Sequence, residues 1–331
     1  MRIPKIVSTV LFVLSLLTFG FAQNPLGYDF VRTQGFPNGV GNHTVVYDSS
    51  LKTVYSTNST TNRIDMIDGP TRKLVGAIDV PQPTAVDVSV DGTQLGIASS
   101  TGYVYIADVA SKSLKQRFFI GQGLSDLVYL SDGTLLVSTV PVSIGTYFVL
   151  DPQAGTVTPV SFTNPNACCF SGVFARSGDH TKVAVYQDSR IFIFDGASHS
   201  VTASKTYDFT TSINTVQLNG DGSKVVATVR SFTANYASVL NSSLIEQAQL
   251  NGIQGPFVLS AAGTKMFVGG GSSFGRTFAE VDTSTGTTLF NFADFGLLTS
   301  FFGSTARVLT ENNTLVGVTF DGITFIDTAR V

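Results

Sequence analysis

The 331-residue sequence contains no tryptophan, two cysteines and three histidines, and only 13% of its side chains are charged. Each scarcity excludes something. Two adjacent cysteines and scattered His43, His180 and His199 do not make a structural zinc set, which needs four ligands at defined spacings. Glutamate occurs only at Glu246, Glu280 and Glu311, too sparse for a Glu-centred calcium lactonase or a carboxylate-pair hydrolase. With 20 Lys and Arg against 23 Asp and Glu, a net charge of -3 offers no basic field to hold phosphate backbones, so nucleic acid is not an expected partner. Neither a Gly-x-Ser-x-Gly elbow nor a phosphate-cradling Gly-Lys-Ser/Thr loop is present. What is abundant is apolar residues, 43% of the chain, with 32 Gly and 26 Phe, the composition of many short buried strands joined by tight turns.

The first 22 residues read as a secretion signal. Arg2 and Lys5 form a basic start, residues 6–19 are almost wholly apolar, and Gly20-Phe21-Ala22 places small residues where a signal peptidase reads them. Cleavage is expected near Ala22, leaving residues 23–331 as an exported chain with no membrane span. An uncleaved anchor is the other reading, since the apolar run lies at the lower length limit for crossing a bilayer.

An apolar strand ending in Asp recurs through the remainder, closing at Asp68, Asp108, Asp151, Asp195, Asp282 and Asp327, with Asn241 in the same place once. The interval is roughly 43 residues, the length of one four-stranded propeller blade. A second phrase keeps the same beat: Asp91-Gly92, Asp132-Gly133, Asp179-His180, Asp221-Gly222 and Ala262-Gly263 each enter a strand as a hairpin turn, where Gly accepts positive φ and Asp bonds its own backbone. Before each turn lies an alternating strand such as Ala85-Val86-Asp87-Val88. The fold expected is all-β, a seven-bladed β-propeller of four-stranded blades, forming a single domain over residues 23–331. The chain stops four residues after Asp327, so the last blade lacks an outer strand, and residues 28–34 are expected to complete it and close the ring. Thr71, Ser111, Ser198 and Thr285 stand three residues beyond four of the terminal Asp residues, as side chains that close a turn do, so those Asp residues are read as structural.

The repeats resemble the YVTN family of β-propellers of secreted and cell-surface proteins. The resemblance runs best from Pro83 through Asp91-Gly92-Thr93 to Val104-Tyr105-Ile106-Ala107-Asp108, and Val54-Tyr55-Ser56-Thr57-Asn58 is the nearest approach to the eponymous string. It implies a fold and a binding or surface role, and no activity. Neither WD40 pairing nor the kelch glycine-aromatic pattern is visible, and the lack of Trp opposes both.

Propeller ligands sit at one mouth of the channel, among the loops between blades and between second and third strands. Read off the repeat, that mouth gathers Arg63, Tyr103, Arg190, Tyr236 and Arg276 from the second set of loops, and Cys168 with Cys169 from a blade-connecting loop. Gln122 and Asp126 are assigned to another such loop. In an oxidising compartment Cys168 and Cys169 can pair only with each other, as a strained vicinal disulfide forming an apolar plate. Two reduced cysteines packed as small hydrophobes are the alternative. Arg63, Arg190 and Arg276 could converge on an anion, or each could pair with a nearby Asp. His180 and His199 fall in turns away from this mouth. No catalytic residue, metal or cofactor is assigned. The functional expectation is an exported, monomeric, non-enzymatic propeller that binds a protein partner or small molecule at one mouth; a lactonase-like or quinoprotein-like enzyme and a matrix scaffold are the alternatives.

Overall fold

The computed structural model describes residues 28–31, 44–140, 146–162, 173–187, 189–208, 211–231, 234–253, 257–269, 278–292, 307–309, 314–319 and 322–328. They contain no α-helix, and so among the described residues no helix is long and apolar enough to cross a membrane. The strands run in chain order from β1 (Tyr28–Val31) to β28 (Gly322–Asp327). The first sheet holds β2 (Val45–Asp48), β3 (Thr53–Asn58), β4 (Arg63–Asp68) and β5 (Lys73–Asp79). The second holds β6 (Pro83–Val88), β7 (Gln94–Ser99), β8 (Tyr103–Asp108) and β9 (Ser113–Phe119), and the third β10 (Leu124–Tyr129), β11 (Leu135–Thr139), β12 (Tyr147–Asp151) and β13 (Thr156–Val160). The fourth is β14 (Val173–Arg176), β15 (Lys182–Gln187), β16 (Arg190–Asp195) and β17 (Ser200–Thr206), and the fifth β18 (Ser212–Leu218), β19 (Lys224–Arg230), β20 (Asn235–Asn241) and β21 (Glu246–Asn251). The sixth is β22 (Phe257–Leu259), β23 (Lys265–Gly269), β24 (Phe278–Asp282) and β25 (Thr288–Phe292). The last sheet joins β26 (Arg307–Leu309), β27 (Thr314–Thr319) and β28 to β1, with Tyr28 opposite Ile326 and Val31 opposite Ile323.

These sheets are antiparallel and four-stranded, and the fold is all-β and propeller-like. The first strand of each sheet lies beside the first strand of the next, from β2 through β6, β10, β14, β18 and β22 to β26, and β26 also lies beside β2. Alternation along these inner strands does not separate core from solvent. Every residue of β6 and of β10 is buried, because both faces of each inner strand meet a neighbouring sheet. Val86 and Val88 of β6 pack with Val46, Tyr55 and Ile64 of the first sheet, while Ala85 packs with Leu127, Tyr129 and Leu135 of the third. Gly96 of β7 permits this close approach, since a Cβ there would collide with Leu135 Cδ2. Outermost strands are largely exposed and carry charges such as Lys73, Lys115, Arg117 and Lys205, which discourage pairing of another chain with a free strand edge.

The inner edges are treated differently. Asp87 Oδ2 of β6 accepts the Tyr129 N–H of β10 at 2.8 Å, Asp126 Oδ2 of β10 accepts the Phe174 N–H of β14 at 3.0 Å, and Gln217 Oε1 of β18 accepts the Leu259 N–H of β22 at 3.3 Å. A side chain from one inner strand thus satisfies a backbone donor that the next sheet's ladder leaves unpaired. Asp126 lies inside β10, not in the connecting loop to which its position in the repeat assigns it. The ladder shifts register just before it, between Leu124 and Asp126.

Candidate functional site

Arg63, Tyr103 and Arg190 are the first residues of β4, β8 and β16, and Tyr236 is the second of β20. In sheets of one strand order, these positions fall at the same end, opposite the closing residues of the outermost strands: Arg63 faces Asp79, Tyr103 faces Phe119, Arg190 faces Thr206 and Tyr236 faces Asn251. All four side chains are half-buried. The same backbone bond secures this end in four sheets, Val80 N–H to Asn62 O, Ile120 N–H to Gly102 O, Tyr207 N–H to Ser189 O and Gly252 N–H to Asn235 O. The first connecting loop is tied on both sides: Gln82 N–H donates to Asn62 Oδ1, while Ser99 Oγ donates to Pro81 O at 2.6 Å. These bonds make a rim of fixed geometry.

The rim residues differ in what they present. Arg63 turns inward, its Nε donating to Asp65 Oδ1 at 2.6 Å, and Asp65, 1% exposed, also accepts from Asn58 Nδ2 at 3.0 Å. It is committed to a buried carboxylate, the plainer of its two sequence readings. Tyr103 packs on Phe119 with ring centroids 5.0 Å apart, and the Arg117 guanidinium lies 5.5 Å from its ring centre. Phe119 is 61% exposed, so this is an aromatic and cationic patch open to solvent. Burial, then the charge of Glu246, raises the Tyr236 hydroxyl pKa above its ordinary value. Cys168, Cys169, Arg276 and His43 lie outside the described residues, as does the proposed signal segment.

The recurring Asp residues at strand ends are turn closures. Asp68 accepts from Thr71 N–H and Oγ1, Asp108 from Ser111 N–H and Oγ, Asp195 from Ser198 N–H and Oγ. Asp282 accepts from Ser284 and Thr285 through both backbone and hydroxyl, and the Ser284 hydroxyl bond leads in pulling its pKa down to about 2. The Ser/Thr spacing reveals these partners in sequence; Ser284 is the one it misses.

A charged constellation on the inner strands is invisible to that spacing. Arg176 of β14 reaches past β10 to Asp87 of β6, with Nε 2.8 Å from Oδ2 and Nη2 2.9 Å from Oδ1. The Asp87 side chain is fully buried and that of Arg176 is 13% exposed, and with the Tyr129 N–H on Asp87 the pair ties three consecutive sheets. His180 stands close by, 5% exposed, its Nδ1 donating to Tyr129 O at 3.1 Å. Burial, reinforced by the Arg176 charge, lowers its pKa to about 4, so the ring is neutral at neutral pH. The carboxylates of Asp87 and Asp126 are occupied by structural donors. Among the described residues no three His, Cys, Asp or Glu side chains are grouped to hold a metal ion.

No protein-family model matches the chain, and no curated protein matches it. Among solved structures the chain is similar to hydrazine synthase of Kuenenia stuttgartiensis, with a TM-score of 0.71 and 15% identity, over 94% of this chain and 100% of that one. At that identity the likeness is one of fold.

Proposed function

We propose that the seven sheets are the blades of one closed seven-bladed β-propeller, a single domain over residues 23–331, exported after cleavage near Ala22, monomeric and related to YVTN-type propellers. Its function is to bind a small molecule or protein partner at the mouth marked by Arg63, Tyr103, Arg190, Tyr236 and Arg276, with Cys168 and Cys169 as a vicinal pair in a neighbouring loop. No catalytic step or cofactor is assigned. Support for closure comes from the β1–β28 pairing, the β26–β2 neighbourhood and the Arg72–Asp327 ion pair between the first and last sheets.

The observation that carries the binding reading is the rim itself. Half-buried Tyr103, Arg190 and Tyr236 recur at one end of three sheets, with Arg117 and Phe119 beside Tyr103, on strand ends held by a repeated backbone bond. Arg and aromatic side chains supply much of the binding energy at interfaces. The synthesis of hydrazine named for the structural neighbour is not carried to this chain. Its inner carboxylates are engaged by Arg176 and backbone N–H groups, which favours binding over acid–base chemistry.

The test is a thermal-shift screen of the mature protein against a fragment library, with hits located by hydroxyl-radical footprinting. Protection of Tyr103 and Tyr236, and loss of the hits in Tyr103→Ala, are expected. Hits that map to other surfaces and survive that substitution would reject the mouth as the site. Mass mapping of residues 164–176 without reductant reads the cysteine state, a vicinal bond making that peptide lighter by the mass of its two lost thiol hydrogens.

A further inference from the structure

A groove of about 580 Å³ runs along β13 between the third and fourth sheets, from Val160 and Ser161 near the rim to a charged end on the opposite side. Thr156, Thr158 and Val160 of β13 form one wall, His199 and the start of β17 form the other, and Asp132 and Asp151 close its end. Two departures from the internal repeat meet here. Ala154 stands where Thr71, Ser111 and Ser198 donate a hydroxyl to their turn Asp, so Asp151 Oδ1 accepts only the Gln153 and Ala154 N–H groups. Leu130 stands where Ser89 and Ser177 donate to Asp91 and Asp179, and Asp132 takes His199 Nε2 of the adjacent sheet at 2.8 Å instead.

These changes leave a particular set of open groups. Among the described residues Asp151 Oδ2 has no donor, and His199, whose Nε2–H is directed at Asp132, has no hydrogen-bond partner at Nδ1. The side chains of Thr156, Thr158 and Ser161 are exposed, and their hydroxyls are not engaged by another side chain among the described residues. Val149, Val160 and Val201 add apolar surface. Among the described lining residues there is no lysine or arginine, which disfavours an anion. An ammonium group would answer Asp151 but leave the threonine and serine hydroxyls without a ligand acceptor. A sugar hydroxyl both donates and accepts, and the C–H face of a pyranose suits valine.

We propose that this groove binds a neutral polyhydroxylated ligand, a short oligosaccharide segment, with hydroxyls donating to Asp151, accepting from Thr156, Thr158 and Ser161, and meeting His199 Nδ1. Its volume lies within the range of small-molecule sites. This site is separate from the mouth proposed above, and Tyr103→Ala is expected to leave it unaffected.

The experiment is calorimetric titration of the mature protein with maltotriose, cellotriose and chitotriose, each also into Asp151→Asn and Thr158→Val. Asn241 closes the corresponding turn of the fifth sheet through Oδ1, so Asp151→Asn preserves the fold. Thr158 is exposed on an outermost strand, so its replacement is also tolerated. Binding of at least one sugar, weakened about tenfold or more by each substitution, is expected. The proposal is overturned if none of the three binds, if both variants bind as well as the parent, or if spermidine binds where the sugars do not.

Discussion

His180 shows how far a side chain's role can depart from its local signature. In sequence it occupies the second position of a hairpin turn, where Gly stands in Asp91-Gly92 and Asp132-Gly133, and its φ of 61° repeats that left-handed conformation. A solvated turn histidine would titrate near its ordinary value. Instead the ring is buried against Tyr129 O beside Arg176, and its pKa falls to about 4, below the roughly 6.5 of an unfolded chain. Between these values the unfolded state binds a proton that the native state refuses, so stability drops as pH falls from about 6.5 to 4 and the group contributes nothing to the slope above that window. Full passage through the window costs roughly 3 kcal/mol. His180→Asn, which tolerates positive φ, is expected to be less stable at pH 7 through lost packing yet to show a smaller difference between pH 7 and about 4.5 in urea unfolding. Equal pH slopes in parent and variant would remove His180 as the cause. Below that window the turn carboxylates take over: Asp68, Asp108 and Asp282 titrate below the ordinary carboxylate range, so their contribution is present above about 4 and is lost as pH falls through the native values.

At the scale of strands and hairpins, what was legible depended on sequence separation. Thr71 with Asp68 and Ser111 with Asp108 are three residues apart, so their turns could be read directly. Arg176 and Asp87 are 89 residues apart, and His199 and Asp132 are 67 apart, and nothing local announces either pair. The one available signal was a charge within an apolar strand: Asp87 between Val86 and Val88 is costly to bury without donors, so its strand had to bring it partners. The rim was readable as positions in a repeat, while Arg63's inward turn onto Asp65 depended on side-chain packing. The Arg176–Asp87 pair should behave as a coupled unit. Removing one member leaves the other charge buried, which costs about 3 kcal/mol or more. Asp87→Asn and Arg176→Met are each expected to lower the unfolding free energy by that order, and the double variant by at least about 1 kcal/mol less than the sum. Strict additivity in chemical denaturation would mean that the two side chains do not stabilise one another.

For the molecule as a whole, the decisive element is the short strand β1. Six sheets are continuous in sequence, each running from inner to outermost strand; the seventh takes β26, β27 and β28 from near the end of the chain and β1 from near its beginning, with Phe30 opposite Thr324. That pairing has two consequences for the closed ring proposed here. It joins distant parts of the chain through main-chain hydrogen bonds, and it covers the edge of β28, which would otherwise offer a free ladder to another molecule. The first and last sheets also share a core in which Val45, Val54 and Ile67 pack with Val316, Ile323 and Phe325, so loosening the seventh sheet exposes apolar surface on the first. A mature chain shortened to begin at Arg32, just beyond β1, is therefore expected to melt about 10 °C lower or more, and to elute partly as dimers or larger species in size exclusion. Added peptide spanning residues 23–34 should restore part of the lost melting temperature by re-forming the β1–β28 ladder, because a ligand that binds only the native state raises its stability. A truncated chain that melts like the parent and stays monomeric would show that β1 is not what holds the ring closed.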